Sequence, residues 1–273
     1  MALTSSHQAG IDIKVRKPSF DFTSVPEIWL STAQTSHFMN ALSVFIPATE
    51  RLVIDILRRR IPGVHNPQLR VEVLQLIKQE GTHARLHRLA NQQLAEAGFS
   101  AIEGLTHWQV KAFEFLIKFM PTSFVTSIPA AMEHFTVNIS RAVLIEQKYW
   151  QGNTEENEAV RFLIWHAGEE LEHQAVCFDV YREFGHKPLW FSLSLILFWM
   201  PLSALSTYLV QGYFLAKSRR LKTLTDWRRW AGFIGDSLPL FFSGAWKYCR
   251  KGYTPWTKDQ LRLLQNTNSD KVP

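Results

Sequence analysis

Residues 165–181 read WHAGEELEHQAVCFDVY. Within them His166, Glu170 and His173 are spaced by four and then three, so all three fall on one stripe of a helix. A second stretch, LIKQEGTHARLH at residues 76–87, carries half of the same pattern: Glu80-x-x-His83 matches Glu170-x-x-His173, and His87 follows one turn on. Two further glutamates stand alone in apolar runs, Glu50 in VFIPATERLV and Glu133 in IPAAMEHFTVNI.

A Glu and a His three residues apart share a helix face and can bind one ion or two adjacent ions. A single such pair arises readily by chance. Here two pairs alternate with two lone glutamates, on four predicted helices, in the order Glu, Glu-x-x-His, Glu, Glu-x-x-His. Carboxylates neutralise and bridge two divalent cations, and imidazoles tune the site toward iron or manganese. That donor set is the one that di-metal, ferritin-like bundles assemble from facing helices. The expected ligands are therefore Glu50, Glu80, His83, Glu133, His166, Glu170 and His173. The expected cofactor is a pair of divalent ions, iron first, with manganese and zinc as alternatives. His87 and His134 are expected beside the ligands, since His134 points about 100° away from Glu133. Glu169 and Glu172 flank the stripe, where they are expected to be solvated or paired with arginine; Glu169 replaces Glu170 if the register slips by one. The bland alternative is a set of solvated helix-face charges. Against it, an unpaired carboxylate in the apolar surroundings of Glu50 or Glu133 would be costly, and a cation removes that cost.

Helix signals extend over most of the chain. They predict helices from about Pro26 to Arg60, from Asn66-Pro67 to Gly98, from Thr106 to Phe119, from Pro121 to Trp150, from Thr154 to Gly185, and over 188–222 and 225–250. No strand-type alternation bounded by turns occurs. The fold expected is all-α, a ferritin-like four-helix bundle with additional C-terminal helices. Its divisions are an exposed N-terminal arm (1–25), the bundle (26–186), apolar and basic C-terminal helices (187–257) and a tail (258–273).

The chain has 273 residues and a formal charge of +6, which raises the question of nucleic acid. The charge is not spread evenly. Residues 1–213 hold 18 basic and 20 acidic side chains, net −2, and residues 214–273 hold 12 and 4, net +8. The excess follows the uncharged run 188–216, PLWFSLSLILFWMPLSALSTYLVQGYFLA, which is long enough for a bilayer crossing of about 20 residues. Trp190, Trp199, Tyr208 and Tyr213 add interfacial aromatics, and Pro201 suggests a kinked or re-entrant element. Phospholipid is thus the expected partner of the basic region and nucleic acid is not. With no signal-peptide pattern and only Cys177 and Cys249, the expected location is cytoplasmic, peripheral or integral at the inner face of the membrane. The rival reading of 188–216 is a helix buried in protein or at a homodimer interface.

The segments VFIPATERL, QEGTHARLHRLAN, MEHFT, WHAGEELEHQAVCFDVY and YCRKGYTPW resemble the bacterial family called predicted metal-dependent hydrolase, over roughly residues 20–257. The resemblance implies a ferritin-like, metal-dependent enzyme. Where members often have Phe-His-Pro-Trp, this chain has Tyr253-Thr254-Pro255-Trp256, so any role of that histidine is absent. The His-x-x-x-Glu-x-x-His order at 166–173 is also similar to the last ligand helix of the di-iron arylamine N-oxygenases. The donor set favours dioxygen-dependent oxidation of a hydrophobic small molecule or acyl substrate, with an external electron donor. The family label favours di-metal hydrolysis, and a non-catalytic metal-binding protein is the third reading.

Overall fold

The computed structural model describes residues 6, 9–145, 157–173, 175–184, 200–219, 225–236, 255–256 and 258–266. Among these the regular structure is helical and no strand occurs. In chain order the helices are α1 (Ala33–Arg60), α2 (Pro67–Leu94), α3 (Ala101–Phe119), α4 (Thr122–Ile145), α5 (Glu158–His173), α6 (Val176–Glu183), α7 (Met200–Lys217), α8 (225–236) and α9 (Lys258–Asn266).

Local side-chain chemistry sets several of the boundaries. The Thr32 hydroxyl accepts the Thr35 amide at 3.1 Å, so α1 starts there and not at Pro26. Asn66 accepts the amides of Gln68 and Leu69, and Pro67 occupies the first helical position, as the sequence predicts. Beyond α2 a wider turn, Ala95–Phe99, holds Gly98 at φ 109°, a left-handed value that favours glycine. The helix expected over 154–185 is two helices. Asn157 accepts the amides of Ala159 and Val160 and caps α5, while Thr154 lies outside the described residues.

The bundle is built on α1, α2, α4 and α5 with α6. Pairings along the helices give their directions. Ser43 meets His87 and Asn91 while Glu50 meets His83, so α1 and α2 are antiparallel. His87 meets His166 while Gln79 meets Glu172, so α2 and α5 are antiparallel too. The largest apolar cluster joins the C-terminal half of α1 to α2, α3, α4 and α6 through Leu52, Ile56, Leu76, Phe113, Ile128 and Tyr181. A second, with Met39, Val137, Val160 and Phe233, closes the other end of the bundle.

The described part of the uncharged run, α7, packs along α1, with Val210 and Phe214 against Ala41, Val44 and Phe99. Among the described residues no helix is long and apolar enough to cross a membrane. Residues 188–199 and 237–250 lie outside those described. From α8, Trp230 stacks edge-on against Tyr208 of α7, 5.9 Å between ring centres.

The N-terminal arm, which its polarity predicts to be exposed, is in part docked on the bundle. Ile13 and Phe22 are buried, the latter with Phe162 and Trp165.

α1 contains Pro47, which has no N–H to give to the carbonyl of Ser43 one turn back. Asn91 of α2 supplies the missing donor, its Nδ2 standing 2.9 Å from Ser43 O. The Asn91→Ala protein should therefore lose about 1–3 kcal/mol in chemical denaturation, because a half-buried carbonyl and hydroxyl lose their partner. A loss under about 0.5 kcal/mol, the range of ordinary surface substitutions, would show that water replaces the amide at no cost.

Candidate metal centre

All seven residues singled out by spacing meet at one place inside the bundle: Glu50 from α1, Glu80 and His83 from α2, Glu133 from α4, and His166, Glu170 and His173 from α5. None is more than a tenth exposed. Three overlapping groups have ligand atoms within 4.8 Å of one another: Glu50–His83–His166–Glu170, Glu80–His83–His173 and Glu133–Glu170–His173. His166 Nε2 lies 3.0 Å from Glu170 Oε1 and 3.5 Å from Glu50 Oε1. His83 Nδ1 lies 3.4 Å from Glu170 Oε1, and His173 Nδ1 lies 2.9 Å from Glu80 Oε1 and 3.3 Å from Glu133 Oε2.

The inward atoms and the outward atoms of these side chains behave differently. Both oxygens of Glu50, one each of Glu80 and Glu133, and Nδ1 of His83 and His173 are buried without a hydrogen bond. Every outward imidazole nitrogen is held. His83 Nε2 meets Glu169 Oε2 at 2.8 Å, His173 Nε2 meets Gln79 Oε1 at 3.0 Å, and His166 Nδ1 meets His87 Nε2 at 3.1 Å.

Proton polarity follows from what terminates each of these links. The Glu169 carboxylate can only accept, so His83 donates from Nε2. Gln79 gives its Nε2 to the Lys14 carbonyl, which can only accept, so its Oε1 faces His173 and accepts from it. Asn91 gives Nδ2 to the Ser43 carbonyl, so its Oδ1 accepts the Ser43 hydroxyl proton. The Ser43 oxygen then accepts from His87 Nδ1 at 2.8 Å, and His87 Nε2 accepts from His166 Nδ1. With each outer proton committed outward, the inner nitrogen of each imidazole is the atom that becomes available to a cation once its own proton is lost. The residues present fit a pair of divalent ions.

Burial and mutual repulsion set the charge state of the centre. Glu50 is pushed well above the ordinary carboxyl range by burial and by the nearby Glu80 and Glu170. Burial and Glu80 raise Glu133 to about 8. Glu170 is held well below the ordinary range: burial opposes this, but the cationic His173 and the donors on His166 and His83 outweigh it. Burial disfavours a charge on His83 too, yet Glu169 and Glu170 hold it up to about 9. His87 is pushed well below its usual value by burial and by His166 and His83, and so stays neutral, as the relay requires.

Glu169 and Glu172 are buried, not solvated. Arg16 of the arm bridges them at 2.9 Å each, and Gln79 Nε2 reaches Glu172 Oε2 at 2.9 Å. His134 is in none of the three groups; its ring faces Asn138 of its own helix. Spacing alone missed Arg16, Gln79, Ser43, Asn91 and the inward role of Glu172. One signal was present: the residue before each paired glutamate, Gln79 or Glu169, holds the histidine of the opposite helix. Arg16 gave none, since the arm carries no periodicity.

A cavity of about 510 Å³ reaches the centre from one side. Its walls are mainly apolar, including Met39, Phe45, Met132, Phe135, Ile139 and Phe162. His166, Glu170 and His87 line it, whereas Glu80, Glu133 and His173 do not. The His166–Glu170 end of the centre is thus the accessible end. Phe113 and Met132, from the apolar stretch before Glu133, serve as both core and cavity wall.

A family model described as "Predicted metal-dependent hydrolase" matches residues 14–259. No curated protein and no solved structure matches.

A cation and a proton compete for the same inner atoms. With Glu133 at about 8 and His83 at about 9 before an ion binds, both carry protons at pH 7, and binding must displace them. Apparent metal affinity should therefore rise as pH rises from 7 through about 9. Calorimetry at pH 7 in buffers of different ionisation enthalpy should register proton release, and a pH-independent affinity with none released would contradict this.

Proposed function

The chain belongs to the predicted metal-dependent hydrolase family, and from that premise we propose that it is an enzyme whose ferritin-like bundle holds two divalent ions and acts on an apolar substrate. The observation that carries this reading is the convergence of unpartnered buried atoms of Glu50, Glu80, His83, Glu133 and His173 on one small volume. These atoms face only one another, as in the 2.9 Å contact of His173 Nδ1 with Glu80 Oε1, and a buried group left without a hydrogen bond costs about 1–3 kcal/mol, a cost a bound cation would remove.

Glu50, His83, His166 and Glu170 would hold one ion, and Glu80, Glu133 and His173 the other, with Glu170 able to reach both. When bound, such ions supply an acidified water for hydrolysis or, if they are iron, electrons for the reduction of dioxygen. The chain's own contribution is positional. Glu169, Gln79 and His87 fix the three imidazoles, and the apolar walls keep bulk water from the His166–Glu170 end while admitting a hydrophobic molecule.

Hydrolysis is the reaction that the family description supports. The second reading, oxidation by dioxygen with an external electron donor, is favoured by the donor set, since four carboxylates and three imidazoles inside a bundle suit iron. Elemental analysis of the purified protein should give two ions per chain, and Glu133→Ala should give one or none. Two ions retained by that variant with full turnover would sink the site assignment. Zinc, together with cleavage of long-chain esters and no response to oxygen, identifies the hydrolase. Iron whose visible spectrum changes when the reduced protein meets oxygen identifies the oxidase.

A further inference from the structure

The helices that flank the mouth of the cavity present unusual surfaces. On α3, Trp108, Phe115 and Phe119 are 74%, 64% and 60% exposed. With Leu105 and Ala112 they fall within about 80° of arc at 100° per residue. The bundle covers a different arc, that of Ile102, Phe113 and Leu116, so the apolar face of α3 is wider than the part it buries. On α7, Leu205 and Leu209 are 61% and 66% exposed and Tyr208 is 43% exposed, and residues 200–216 contain no charged side chain. Water-facing helices normally carry charges on that side.

Cations border both faces. Lys111 and Lys118 lie at one edge of the α3 arc, Lys111 in an exposed ion pair with Glu114 at 3.0 Å, while Glu103 lies on the far side of the helix. Lys217 and Arg219 follow the α7 face, and Arg228 and Arg229 are exposed on α8. Leu105, Trp108 and Leu202 are exposed and also line the cavity, so the cavity opens within this surface.

We propose that the outward faces of α3 and α7 seat the protein on an anionic lipid surface, with the mouth of the cavity turned to the bilayer. Apolar and aromatic side chains enter the headgroup region, and the bordering lysines and arginines meet lipid phosphates. A second copy of the chain is the poorer occupant. A two-fold contact through this surface would gather the bordering cations of both copies in one interface, and of the exposed acids on α3, Glu114 already pairs with Lys111. Seated this way, the protein draws an apolar substrate from the bilayer into the cavity without crossing water. That last step rests on the cavity serving the metal centre; the docking itself does not.

The test is flotation of the full chain with vesicles of phosphatidylcholine, with and without phosphatidylglycerol. Wild type should float with the anionic vesicles, several-fold less with neutral ones, and less again at high salt. Leu205 and Leu209 do not line the cavity. The double variant Leu205→Glu, Leu209→Glu should lose at least about tenfold in vesicle binding while keeping its helical content and metal stoichiometry. Lys111→Glu with Lys118→Glu should weaken binding to anionic vesicles alone. Wild type that does not float, a double variant that floats equally well, or a dimer in solution that the double variant dissociates would each overturn the docking. Absent metal in a protein that floats would remove the proposed function and leave the docking standing.

Discussion

Four buried carboxylates and three imidazoles can bind cations together only if each imidazole can turn a lone pair inward. That single requirement explains much of what surrounds the centre. Each outer nitrogen must give its proton away, and each acceptor must have no alternative role. Two of the three links end on a main-chain carbonyl and one on a carboxylate, groups that can only accept. The ambiguity of ring tautomers and of amide orientation is therefore removed by covalent chemistry, not by fine adjustment of distances.

Seen from α2 and α5, the arrangement is reciprocal. Glu169 holds His83 and Gln79 holds His173, each standing one residue before the glutamate of its own helix. Antiparallel helices make this exchange natural, because a step along one is met by the opposite step along the other. The two supports are not equal in charge. The carboxylate of Glu169 needs a cation of its own and finds Arg16, whereas the amide of Gln79 needs only the Lys14 carbonyl. The third support runs through α1. There Pro47 frees the Ser43 carbonyl, and the freed carbonyl orients Asn91, Ser43, His87 and His166 in turn.

The helical class and the convergence of seven side chains were legible because both depend on periodicity. Residues three and four apart must share a helix face, and glutamates in apolar runs must point somewhere dry. Three things were not legible. The arm looked exposed because Lys14, Arg16 and Lys17 dominate its composition, yet one of them completes a buried ion network. α5 ends at His173 and α6 starts at Val176 inside a continuous helical pattern in which no glycine or proline marks a break. The described part of the long uncharged run is divided by its environment. One face of α7 packs on α1 and lines the cavity, and the other remains apolar toward the outside. Hydrophobicity alone could not separate a helix that is buried from one that is both packed and outward-facing.

The docking of the arm also has a consequence for the order in which the chain takes shape. Arg16 is 153 residues from Glu169 and 156 from Glu172. During synthesis from the N-terminus its partners emerge last among the bundle helices, so the arm stays unplaced while α1 to α4 are already made. Closing so long a loop contributes little until α5 is in position. The side of the centre that the arm seals is thus the last to be covered, and the inner histidines on α2 remain reachable from solvent until then.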